Sequence, residues 1–215
     1  MFIDIKDLSY KGKQVLKDSY ISLQNGTFIN IIGVNGAGKS SFYKALLGFV
    51  KYKGKSDIRP NEIAIISDYV SIPDETLVID IINFVNANAK QADSLKNLRK
   101  MLGINQILNT RIKALSTGEK RKLEIFCALA AECKVIIYDE ITANIDEPSR
   151  DVLLSFIKDY HKNNRESIAF FSSHDLKEIF KLGGEIWLIN PVSQKIENIT
   201  GLSMEDVSMK MLGLK

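Results

Sequence analysis

Histidine and cysteine are scarce in this chain of 215 residues, which holds only His161 and His174, Cys127 and Cys133. The cysteines stand six apart, lack Cys-x-x-Cys spacing and have no histidine near them in sequence, which excludes a zinc cage or a disulfide framework. Neither sign of charge dominates: 29 Lys and Arg against 26 Asp and Glu leave +3, without the electrostatic footprint of a dedicated nucleic-acid binder. Local basic clusters at 51–55 and 120–122 are read as solvent or subunit contacts. Long apolar runs are also missing. Residues 28–34, 77–85 and 135–138 are short or broken by Asp80 or Asn83, well under the ~18 residues that a spanning helix needs, so no direct membrane insertion is expected. The start, Met1-Phe2-Ile3-Asp4-Ile5-Lys6-Asp7, alternates apolar and charged residues. That is unlike a secretory signal and implies a cytoplasmic location.

What is present is a hydrophobic fraction of 45% and a charged fraction of 26%, enough for one fair-sized core or two joined lobes. The first thirty residues read as β structure: residues 1–8 alternate, 14–23 follow Gly12, and 28–32 are nearly all apolar. Residues 39–50 carry Phe42, Ala45, Leu46 and Phe49 at helical spacing, and 63–66 read as a short strand. From 76 to 113 the pattern is polar and helical, with Leu95, Leu98, Leu102, Ile107 and Leu108 as its apolar face, which predicts an inserted helical segment. Residues 119–131 form a helix with Cys127 on its core face, leading into the apolar strand 135–138. Helix and strand then alternate through 149–161, 167–171, 175–181 and 185–189, the βαβ rhythm of a mainly parallel sheet. Residues 202–212 read as a small amphipathic helix or a frayed tail.

Gly33-Val34-Asn35-Gly36-Ala37-Gly38-Lys39-Ser40 fits G-x-x-x-x-G-K-[ST] after a buried strand and at a helix start. Glycines there let consecutive backbone N–H groups turn around a phosphate, and the helix end adds partial positive charge. In this pattern Lys39 reaches the β- and γ-phosphates, the Ser40 hydroxyl ligates Mg²⁺, and Ser41 completes the lining. The strand 135–138 ends in Asp139 and Glu140, where an open α/β sheet places its ligand site. Asp139 can hold Mg²⁺, and Glu140 can polarise the water that attacks the γ-phosphate.

Together these motifs resemble the ATP-binding cassette (ABC) ATPases. Leu115-Ser116-Thr117-Gly118-Glu119 is similar to the family signature, commonly Leu-Ser-Gly-Gly-Gln, and basic residues 120–122 follow it. Its leucine precedes Asp139 by 139 − 115 = 24 residues, the family's usual distance. Ile145-Asp146 resembles the D-loop, His174 the switch histidine, and Tyr10 the aromatic that stacks on adenine. The resemblance runs from about Phe2 to Glu197. Two departures stand out. Asp68 occupies the place of a glutamine that touches Mg²⁺ and the attacking water, which makes it a third Mg²⁺ candidate that cannot donate a hydrogen bond as an amide does. Thr117 and Glu119 replace a glycine and a glutamine in the signature.

The resemblance implies an α/β fold: a P-loop NTPase core with a mainly parallel sheet, an N-terminal antiparallel β subdomain and an inserted helical subdomain. One domain spans 1–215, with 1–67 and 129–199 as the core, 68–128 as helical subdomain and signature, and 200–215 as a tail. It further implies an ATPase that dimerises with a second cassette, sandwiching ATP between one phosphate loop and the partner's Ser116, Thr117, Gly118 and Glu119. Lys39 and His174 stabilise γ-phosphate charge and Glu140 is the base. The helical segment 71–88 holds the groove for the cytoplasmic helix of a separate integral membrane permease, and an exporter is favoured over an importer. The alternative is a soluble ABC ATPase remodelling a cytosolic partner. A P-loop GTPase is disfavoured because no Asn-Lys-x-Asp occurs to read guanine, and a P-loop kinase leaves residues 115–119 unexplained.

Overall fold

In a computed structural model of the chain, residues 1–68, 72–88 and 92–214 are described. The N-terminal alternation becomes a hairpin, β1 (Phe2–Tyr10) and β2 (Lys13–Ser22), turning through Lys11 and Gly12 in left-handed conformation. Strand β3 (Phe28–Ile32) leads into helix α1 (Lys39–Leu46). Strand β4 (Lys53–Ser56) then pairs antiparallel with β1. The sequence pattern did not disclose β4, because its lysines face solvent on an edge strand, where charge blocks further pairing. Gly54 is required there: a Cβ would lie 2.0 Å from the Asp4 carbonyl oxygen.

After β5 (Ile63–Ile66) the chain enters α2 (Val78–Asn88) and α3 (Ala92–Met101). The helical reading of 76–113 holds only to here. Gly103 at φ 71° closes α3, and residues 104–106 and 112–114 form single 3-10 turns. The remainder alternates as read: α4 (Thr117–Ala130), β6 (Val135–Asp139), α5 (Glu147–Asn163), β7 (Ile168–Ser172), α6 (Leu176–Leu182) and β8 (Glu185–Asn190). Strand β9 (Lys195–Asn198) and helix α7 (Met204–Leu212) follow. Val207 of α7 is fully buried and Lys210 pairs with Glu197 at 3.1 Å, so this helix is docked and not frayed.

The large sheet runs β5-β6-β7-β3-β8-β9, parallel throughout except for β9. Its strands are nearly continuous apolar runs because both faces are covered. Val135, Ile137 and Phe170 face α1 and the three-stranded sheet β2-β1-β4, packing with Phe42, Tyr43, Ile3 and Ile5. Ile136, Tyr138 and Phe171 face the other way, onto Phe126 of α4, Leu154 of α5 and Ile179 of α6. Because β3, β5, β6 and β7 are parallel, Gly33, Ser67, Glu140 and Ser173 all leave the sheet at the same edge.

Candidate functional site

The loop after β3 is built around glycines with specific duties. Gly38 is the N-cap of α1 at φ 112°, and a Cβ there would sit 2.0 Å from Val15 Cγ1 of β2. A side chain is excluded by backbone conformation and by space together. Gly33 is confined by Ala37 Cβ and the Ile189 carbonyl oxygen, at 3.0 and 3.1 Å from a built Cβ. No side chain caps α1 and no acidic residue occupies its first turn, which leaves the positive end of the helix open to an anion.

Three loops converge on this helix start. Lys39 is 6% exposed; its ammonium donates to the Gly33 carbonyl at 3.1 Å and lies 3.9 Å from Glu140 Oε1. Burial lowers its pKa, against the pull of Glu140 and Asp139. Asp139, the last residue of β6, accepts hydrogen bonds from Ser172 Oγ at 2.6 Å and Ser40 Oγ at 3.3 Å. Burial raises its pKa, with the Glu140 charge adding to the rise and the two serines opposing it. A buried carboxylate beside a hydroxyl is a donor set that suits a hard divalent cation. Glu140 follows at φ 54°, and His174 Nε2 lies 2.8 Å from its Oε1. Asp175, not His174, caps α6, accepting from the Lys177 N–H.

A cavity of about 500 Å³ lies over this cluster, lined by Tyr10, Asn35, Lys39, Ser41, Glu140 and His174 among others. Lys11 and Lys44 ammonium groups stand 5.6 and 5.7 Å from the Tyr10 ring centre. The sequence reading missed Ser172 and Val15. Ser172 stands opposite Asp139 in the β6–β7 register, a relation that no motif carries. Val15 belongs to the other sheet.

Two groups lie elsewhere. Ser116 caps α4, accepting from the Glu119 N–H, while Glu119 Oε2 accepts from the Ser116 N–H at 2.9 Å and the Ser116 hydroxyl at 2.8 Å. These bonds form a capping box and hold the Glu119 carboxyl below its usual pKa. Residues 116–119 do not line the cavity over Lys39. Asp68 pairs with the buried Arg121 of α4, which also holds Glu124 Oε2 at 2.7 Å. The contacts described for Asp68 run to Arg121 and not to Ser40 or Asp139.

Beside this pair opens an apolar groove of about 740 Å³ between β5, α2 and α4, with Ile65, Ile72, Phe84, Val85 and Cys127 in its walls. Cys127 is largely buried there and its thiol is pushed up to about 12 by burial, consistent with packing and not with chemistry. Ser71, where the expected groove segment begins, lies outside the described residues.

Comparison with known proteins shows the family. The family model described as ABC transporter matches residues 16–143. A probable peptide export ATP-binding protein, YydI of Bacillus subtilis, is 31% identical over 186 residues, covering 85% of this chain and 87% of that protein. The ribose import ATP-binding protein RbsA of Shouchella clausii is 28% identical over 99% of this chain, which spans 48% of that relative. A solved ATP-binding subunit of an ABC transporter superposes with a TM-score of 0.81 at 18% identity, over 98% of both chains.

Proposed function

The chain belongs to the ABC transporter family as an ATP-binding ATPase subunit that serves a membrane transporter, and from that premise we propose that two cassettes close around ATP and Mg²⁺ to drive export through a separate permease. The observation that carries the reading is the meeting of Lys39, Ser40, Glu140 and His174 around one cavity, with Asp139 hydrogen-bonded to Ser40, while residues 116–119 lie outside it. A single chain thus supplies half of each composite site, and its Ser116, Thr117, Gly118 and Glu119 serve a neighbour's nucleotide.

The residues take distinct roles. The backbone of residues 33–41 and the open end of α1 hold the phosphates. Tyr10 stacks beneath the base. Lys39 places its charge on the β- and γ-phosphates, and His174 adds a donor at the γ-phosphate. Ser40 and Asp139 hold Mg²⁺, which supplies positive charge against the phosphate oxygens when bound. Asp68, held by Arg121, is given no part in holding Mg²⁺. Glu140 orients the attacking water and takes its proton. The groove beside α2 receives a cytoplasmic helix of the permease, which keeps the subunit at the inner face of the membrane. No helix of the described residues is long and apolar enough to cross a membrane, so movement of cargo falls to that partner. Export is supported by the B. subtilis relative, matched over most of both chains.

Glu140→Gln tests this assignment. The variant keeps ATP binding, loses turnover by about 100-fold or more, and elutes as a dimer with ATP by size exclusion with light scattering. Hydrolysis at the parent rate would remove Glu140 from its role.

A further inference from the structure

Glu178 of α6 is 4% exposed and takes no part in the steps above. Its Oε2 accepts two hydrogen bonds, from Thr142 Oγ1 at 2.7 Å and from Ser173 Oγ at 2.5 Å. Its Oε1 faces Arg150 Nε of α5 at 3.4 Å. Thr142 stands two residues after Glu140, and Ser173 immediately precedes His174. The Ser173 hydroxyl also accepts from the Asp175 N–H at 3.0 Å, so His174 sits between two tied residues. Arg150 Nη2 donates to the Ile145 carbonyl at 3.1 Å, securing the far end of the loop that begins at Glu140.

One oxygen therefore joins, from behind, the two loops whose tips carry Glu140 and His174. Glu140 is held at φ 54°, a conformation that a residue with a side chain keeps only where its surroundings over-determine it. A carboxylate accepting two hydroxyls in a dry interior makes strong, charge-assisted bonds. We propose that Glu178 is a positioning residue for ATP hydrolysis, setting the 2.8 Å approach of His174 to Glu140 by clamping Thr142 and Ser173 on a single carboxylate oxygen. The proposal rests on the roles given above to Glu140 and His174.

The test keeps Glu178 and Arg150 in place and removes the two donors, with Thr142→Val and Ser173→Ala combined. Turnover is measured below the unfolding temperature of every variant, and ATP affinity by calorimetry. Because a misplacement of ~1 Å can cost 10²-fold, kcat falls about tenfold or more while KM and ATP affinity stay within about threefold. Glu178→Gln, which retains an acceptor oxygen, keeps about half of parent turnover or more. Added to His174→Ala, the paired substitution costs no more than about another twofold, because both act through the same group.

A paired variant that turns over within about twofold of the parent, or whose loss multiplies with that of His174→Ala, overturns the proposal. If the pair does not fold, Ser173→Ala alone carries the same measurement: a loss of about threefold or more supports the clamp, and a smaller one overturns it. Parent-like turnover of Glu140→Gln would defeat the role of Glu140, a separate result, since the cycle reads coupling to His174.

Discussion

Gly38 shows how narrowly a single residue is fixed. Its φ of 112° and the Val15 methyl group 2.0 Å from a built Cβ each exclude alanine. Gly38→Ala pays backbone strain and overpacking together, and stability falls by about 3 kcal/mol, read as a lower midpoint in urea. Nucleotide binding falls with it, because the loop cannot keep its turn. Val15→Ala in the same chain returns part of the stability by clearing the clash and leaves the φ strain. At Lys39 the balance is electrostatic: burial lowers its pKa and the carboxylates of Glu140 and Asp139 draw it back. In the proposed site a bound phosphate takes over from those carboxylates as the counter-charge.

At the scale of elements, α5 is bound to the sheet through His161, whose Nε2 meets Tyr138 Oη of β6 at 2.9 Å among the rings of Phe28 and Tyr160. Burial holds the His161 pKa at about 4, against 6.5 when exposed. Between those values the unfolded chain binds the extra proton, so stability rises with pH across that window. It is intact above about pH 6.5 and falls by up to about 3 kcal/mol as pH drops toward 4. Chemical denaturation at a series of pH values reads this slope, and His161→Phe flattens the part that His161 contributes.

Elements also mark what the sequence could disclose. The phosphate loop, the strand-end carboxylates and the helix α4 were legible because each is a local pattern of spacing. Strands β4 and β9 were not, since a lysine-rich edge strand and a short return strand acquire their meaning from partners far away in the chain. The same holds for Arg121 as the partner of Asp68, for Ser172 beside Asp139, and for Glu178 behind His174. Each is a contact across 33 or more residues, or across a turn whose direction no motif states.

For the whole molecule, the division of labour between its two ends is the governing feature. One edge of the sheet gathers the phosphate loop, Asp139, Glu140 and His174, while the capped start of α4 presents Ser116 to Glu119 outside that cavity. Under the proposed function the site is assembled from two chains, and complementation reads it most directly. On that reading Lys39→Ala removes the phosphate-loop cation and spares the signature, whereas Gly118→Asp sets a carboxylate against the neighbour's γ-phosphate and spares the loop. Each variant alone is inactive as a dimer of itself. In an equal mixture, half of the dimers carry one intact composite site, and ATP hydrolysis returns to about a quarter of the parent rate. A mixture as inactive as either variant would contradict a site shared between two cassettes.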